Sequence, residues 1–169
     1  EVIETRRLFD LEYKKIKILI HPKSYLHAIV KFNNGISKLL IHDTNMQIPI
    51  FNSIYENSKK LKTRDLNLKK LNNLQLIEPN INKFNSLKLL SRIPENISLY
   101  ETVLVSANDE AVHQFLCGNI KYLEIYKILS KVMNMKEFLK LKNQKPNNID
   151  QILKLNKYVR LKTNNLCIK

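Results

Sequence analysis

The chain has 169 residues, 44% of them hydrophobic, and a formal net charge of +14 at pH 7. That length accommodates one or two small domains with a real core, and the apolar content excludes a disordered tail. No apolar run approaches the roughly 20 residues a membrane-spanning helix needs, so no membrane partner is expected.

The charge invites a nucleic-acid reading, but only five of the 29 basic residues are Arg (6, 7, 64, 92 and 160). Arg is the side chain that forks onto phosphates and base edges. A solvated Lys-rich surface, with no nucleic-acid partner, is therefore expected. Cys117 and Cys167 show neither metal-ligand spacing nor a disulfide framework, and read as cytosolic thiols.

Residues 1–9, EVIETRRLF, read as helix, with Val2, Leu8 and Phe9 suited to a buried side. Glu1 and Glu4 stand three apart on one face, where two carboxylates repel unless a cation or donor lies between them. The bland account is an acidic edge paired with Arg6, Arg7 or Lys14. The segment has no signal-peptide order and no initiator Met, and reads as the later part of a longer chain.

Alternation of apolar and polar residues predicts strands near 16–21, 27–33 and 36–42. Asn34-Gly35 supplies the positive φ angles of a tight hairpin turn. His21-Pro22 ends the first strand, and Ser24 and His27 open the second. Asp43-Thr44-Asn45-Met46 then leaves the hairpin through a polar loop. Polar side chains thus collect at strand ends, where a rigid sheet can hold them against a ligand. A lone His such as His27 otherwise reads as a hydrogen-bonded structural residue, and His21 and His42 are weaker candidates still. No H-E-x-x-H or Cys-His spacing supports zinc.

Residues 56–83 are Lys- and Asn-rich, lack a sustained period and read as a linker containing a domain boundary. From Phe84 the pattern turns helical, with Phe84, Leu87, Leu89 and Leu90 in a first helix that ends near Pro94. Ser98 and Glu101 have capping-box spacing, and Gly118 reads as the left-handed cap closing that helix at Cys117. Tyr122, Ile125, Leu129 and Val132 form the stripe of the next helix. Asn147 or Asn148 caps a last one carrying Ile152, Leu155 and Val159. Short links between such helices predict an antiparallel bundle. The fold class is therefore α+β: a β-hairpin-containing end of an α/β catalytic domain (1–57), a linker (58–83) and a helical domain (84–169).

The segment EVIETRRLFDLEYKKIKILIHPKSYLHAIVKFNNG resembles 1-deoxy-D-xylulose 5-phosphate reductoisomerases, which read E-x-I-E-A, then I-H-P-x-S-x-x-H, then a short D-G turn. Asn45 to Pro49 is similar to the family's P-D-M-R-x-P, and Val103 to Asp109 to its V-L-N-A-A-N-E. The resemblance implies a homodimeric cytoplasmic enzyme in a bacterium, or one of the plastid stroma in a eukaryote. It would rearrange a linear ketose phosphate and reduce the product with NADPH to 2-C-methyl-D-erythritol 4-phosphate, using Mg2+ or Mn2+.

By the same resemblance Glu1 is a metal ligand, and Glu4 hydrogen-bonds at the metal and substrate. Ser24 and His27 contact substrate, His27 and Glu4 being catalytic, and Met46 packs by the nicotinamide. The family's nucleotide-binding domain, remaining metal carboxylates and phosphate ligands would precede Glu1, so the chain alone is expected to be inactive. Thr44-Asn45 for Pro-Asp, Gln47 for Arg, and Val105 and Asp109 in the last motif depart from the pattern. They keep two alternatives open: a paralogue with altered chemistry, and a basic α/β module binding RNA or a protein partner.

Overall fold

The computed structural model describes residues 1–55 and 59–168. Its elements run α1 (Val2–Phe9), a 3-10 turn (Tyr13–Lys15), β1 (Leu26–Lys31), β2 (Ser37–Ile41), α2 (Gln47–Ile54), α3 (Leu68–Leu71), α4 (Leu87–Leu90), α5 (Leu99–Leu116), α6 (Tyr122–Met133), α7 (Lys136–Leu139) and α8 (Ile149–Cys167). A second 3-10 turn, Lys140–Asn143, follows α7. The α+β class stands. The chain divides into two compact units, one of residues 1–17 with 80–169 and the other of residues 18–79. This differs from a division at 57 and 83, because α1 joins the helical unit and most of the expected linker joins the hairpin unit. Residues 56–58 lie outside the described residues.

In the helical unit the apolar stripes of α5, α6 and α8 close on one core. Tyr100, Val103, Ala107 and Ala111 meet Leu129, Val132 and Met133 of α6, Phe138 of α7 and Val159 of α8. The Tyr100 hydroxyl donates to the Met133 carbonyl at 2.8 Å, so its polar tip is satisfied within this core.

The helix ends follow local chemistry. Gly118 has φ +79°, and the N–H groups of Gly118 and Asn119 donate to Phe115 and Gln114, the two bonds of a Schellman cap. The Asn148 side chain accepts from the Gln151 N–H at 2.8 Å and so starts α8. Ser98 stands at the start of α5 but its side chain makes no capping bond. The expected capping box is not formed, because Glu101 turns instead to partners on α1 and the turn after it. The reciprocal carboxylate bond appears at α6, where Glu124 accepts from the Lys121 N–H. Two further expectations fail. Phe84 lies outside α4, and Leu8 and Phe9 are exposed; Ile3 is the α1 residue that packs against the core.

The hairpin unit is built on one antiparallel pair, β1 with β2. Its turn is not a two-residue one. Gly35 N–H donates to Phe32, Phe32 N–H donates to Ile36, and Gly35 alone carries positive φ, at +86°. This is a three-residue loop with glycine at the left-handed position.

The expected strand at 16–21 is reduced to a single bridge, Ile20 with Ile77. Ile20 and Ile77 exchange both backbone bonds, so the flanking bonded pairs of an antiparallel ladder would be 22 with 75 and 79 with 18, each needing one N–H from residue 22 or 79. Both are proline, which has no N–H to give. Tyr25 and Leu26 are the buried apolar residues of this unit among those described, while Ile29, Val30, Leu39 and Leu40 are exposed on both faces.

Candidate functional site

Glu1 caps α1 and Glu4 lies in its first turn, the end where unpaired N–H groups and the helix dipole favour negative charge. Both carboxylates are exposed. Arg6, Arg7 and Lys14, their suggested partners, bind other acids: Glu95, Glu101 and Glu12 respectively. Among the described residues neither Glu1 nor Glu4 is in an ion pair, so the bland account of this edge loses its cations.

The hairpin unit carries the other predicted residues. The turn from His21 to Ser24 closes through Ser24 N–H donating to the His21 carbonyl at 2.9 Å. Ser24 has φ +48°, a left-handed conformation that costs a non-glycine residue on the order of 1–2 kcal/mol. Strain of this kind persists only where the surroundings hold it, here by the buried Tyr25 and Leu26 that follow. The Tyr25 hydroxyl accepts from the Asn67 N–H at 3.0 Å, pinning this corner to α3.

His27 is the extra residue of a β-bulge. Leu26 pairs with Ile41 and Ala28 with Leu40, leaving His27 with no partner of its own and its side chain re-aimed. Its ring stacks on that of His42, centroids 3.6 Å apart and 4° from parallel. Nε2 lies 3.1 Å from the His42 carbonyl. A carbonyl oxygen only accepts, so Nε2 carries the proton and Nδ1 is the nitrogen left for a ligand. The His42 ring is fixed in turn by Nδ1 donating to the Asp43 carbonyl at 2.6 Å.

Met46 stands at the N-terminal end of α2 and is 66% exposed. The loop before it is held by the Asn45 side chain accepting from Gln47 N–H, and Pro49 falls in the first helical turn, where its missing N–H costs nothing. A cavity of about 420 Å³ in this unit is lined by Tyr25, His42, Asp43, Phe51 and Arg64, among others. His27, Ser24 and Met46 are not among its lining residues, so the predicted side chains do not converge on it.

Glu1 and Glu4 thus share one helix, and Ser24, His27 and Met46 belong to the other unit. Sequence reasoning undervalued His42, whose link to His27 needs the bulged register, and missed Glu101, whose partners are some ninety residues away. As metal donors, Glu1 and Glu4 have the hard oxygen chemistry that Mg2+ or Mn2+ takes. Two carboxylates do not complete such a shell, and the described residues contain no group of three or more acidic, His or Cys side chains able to hold an ion. Four of the five arginines are engaged within the protein: Arg6, Arg7 and Arg160 in ion pairs, and Arg92 with Asn134. No helix among the described residues is long and apolar enough to cross a membrane.

Fold and residues together define an α+β chain with a bulged-hairpin unit and a helical unit. Residues 41–162 match the family model of the DXP reductoisomerase C-terminal domain. The 1-deoxy-D-xylulose 5-phosphate reductoisomerase of Pelagibacter ubique is 53% identical over 169 residues, covering 99% of this chain and 44% of the relative. That of Sulfurihydrogenibium sp. is 35% identical over 142 residues, covering 83% of this chain and 38% of the relative. A crystal structure of DOX-P reductoisomerase in complex with NADPH, fosmidomycin and magnesium superimposes with a TM-score of 0.81 at 26% identity, over 98% of this chain and 42% of that one. The chain belongs to the 1-deoxy-D-xylulose 5-phosphate reductoisomerase family, and it spans less than half the length of the relatives it matches.

Proposed function

We propose that this chain is the C-terminal part of a reductoisomerase that converts 1-deoxy-D-xylulose 5-phosphate to 2-C-methyl-D-erythritol 4-phosphate with NADPH and Mg2+ or Mn2+. The observation that carries the reading is 53% identity across the whole chain to a protein of that name. The two carboxylates of α1 and the Ser24 and His27 pair support it, because they match the family's motifs in register. When bound, the metal would supply Lewis acidity and NADPH the hydride.

The chain's own residues would do the following. Glu1 holds a metal position, and Glu4 one turn on accepts or donates at the metal-bound substrate. His27, with Nε2 committed to the His42 carbonyl, presents Nδ1 to a substrate oxygen. Ser24 offers its hydroxyl from a turn whose φ is already set. Met46 lays a soft apolar side chain against the nicotinamide. The phosphate ligands and the other carboxylates belong to the preceding part of the full-length polypeptide, and the chain alone would show no turnover.

The bare hairpin supports assembly, since a two-stranded pair exposed on both faces and both edges is marginal alone. Our reading is a cytoplasmic homodimer, which sedimentation of the full-length protein tests.

The decisive assay is substrate-dependent NADPH oxidation with Mg2+, on a polypeptide of full family length. Glu1→Gln should lower the rate at least ~10-fold through lost metal affinity. His27→Ala should lower kcat by about 10²-fold while the melting curve stays in place. Normal rates in both variants would end the roles given to Glu1 and His27, and an absence of substrate-dependent oxidation in the unaltered protein would end the enzymatic assignment.

A further inference from the structure

We propose that Glu101 is the positioning residue that fixes α1, and through it Glu1 and Glu4, in the geometry the metal and substrate require. The inference rests on the function proposed above. Glu101 lies in the first turn of α5 and is only 5% exposed. One carboxylate oxygen accepts from the Arg7 guanidinium. The other accepts from the Tyr13 hydroxyl at 2.9 Å and lies 3.8 Å from Arg6 Nε. A single buried carboxylate therefore holds the last turn of α1 and the 3-10 turn that follows it.

Arg6 extends the clamp. It donates to the Leu11 carbonyl at 3.1 Å and to Glu95, side chain and backbone, and its guanidinium lies 4.4 Å from the centre of the Tyr13 ring. The Tyr13 hydroxyl is held protonated well past its usual range, first by burial and then by its bond to Glu101 and the charge there. It therefore remains a donor at any physiological pH.

α1 needs such a clamp because it has little else. None of its residues is fully buried, and Leu8 and Phe9, at its end, are 69% exposed. Packing alone would leave an eight-residue helix free to slide or rotate. Charge-assisted bonds to a fixed carboxylate are directional and resist both motions. Glu4 is three residues from Arg7, about 4.5 Å along the axis, so a shift at the clamp is passed almost undiminished to the carboxylates. Misplacements near 1 Å in a catalytic array can cost as much as 10²-fold.

The test uses the full-length polypeptide and Mn2+, read by loss of the free-ion electron paramagnetic resonance signal, beside kcat, KM and thermal melting. Glu101→Gln should weaken Mn2+ binding about tenfold and lower kcat with KM for NADPH unchanged. Tyr13→Phe, which keeps the ring and the charge pair, should shift Mn2+ affinity the same way but less, and serves if Glu101→Gln does not fold. Glu137→Gln, which removes the charge that pairs with Lys162 and accepts from Tyr158 elsewhere in the helical unit, should leave Mn2+ affinity as it was. An unchanged Mn2+ affinity in Glu101→Gln, or an equal loss in Glu137→Gln, overturns the inference. If Glu1→Gln itself binds Mn2+ normally, the metal role of α1 falls first and the inference with it; if Glu1→Gln loses the ion and Glu101→Gln does not, only the inference falls.

Discussion

The helical and hairpin units are similar in sequence composition but spend their apolar residues differently. In the helical unit, residues recurring at three and four positions meet in one core, so that Tyr100, Val103, Val132 and Val159 have no measurable exposure. In the hairpin unit the alternation is just as regular, yet β1 and β2 leave apolar side chains bare on both faces. A helix stripe finds its partner in the next helices of the same chain. A two-stranded pair needs a layer from elsewhere. The lesson is that one unit closes its own core, whereas the other leaves both faces of its strand pair uncovered among the described residues and carries its chemically versatile side chains at the strand ends.

The largest expected effect tests the scaffold. Phe138 is 1% exposed, and Phe138→Ala should cost about 3–5 kcal/mol in denaturant unfolding; a loss under 1 kcal/mol would mean that the helical core is not the stable unit. The clamp on α1 gives a pH signature. Because the folded state holds the Tyr13 proton more tightly than the unfolded chain, its contribution is complete below the ordinary tyrosine value of about 10 and is lost as pH rises above that toward the higher folded value. Wild type minus Tyr13→Phe, compared from pH 8 to pH 11, should therefore narrow with rising pH. A constant difference would remove the buried hydroxyl from the account.

In the hairpin unit the effects are smaller. Ser24→Gly should raise stability by about 1 kcal/mol by relieving the left-handed conformation, whatever it does to activity, and a loss of stability would show that the hydroxyl anchors the turn. Smallest is Leu40→Ala, on a residue 55% exposed, expected within about 0.5 kcal/mol in this chain. The same change at full family length should cost more. Equal costs in the two contexts would mean that nothing covers this face, and the contrast between the units would lose its meaning.

What could be read directly from the residues was whatever short-range physics decides. Gly118 ends α5 because only a residue without a Cβ takes that φ freely, and Asn148 opens α8 because its side chain reaches the N–H three residues on. The family motifs set Glu1, Glu4, Ser24, His27 and Met46 in register along the chain, because that register is a matter of sequence spacing alone. The strand at 16–21 was misread because alternation says nothing about the partner, and a proline in each of the two flanking pairs removes a donor on either side of the bridge between Ile20 and Ile77. The capping box at Ser98 was misread because Glu101 had a choice. A local N–H three residues away lost to a guanidinium and a phenol brought in from α1 and the turn after it.

Helix limits, turn residues and the register of the motifs are thus properties of the chain alone, since each depends on atoms within a few residues. The tertiary structure alone decided that α1 joins the helical unit, that a bulge turns His27 onto His42, and that Glu101 closes on Arg7 and Tyr13. Those outcomes depend on which distant groups meet once the core has closed, and burial makes a charge-assisted bond between them stronger than any local alternative.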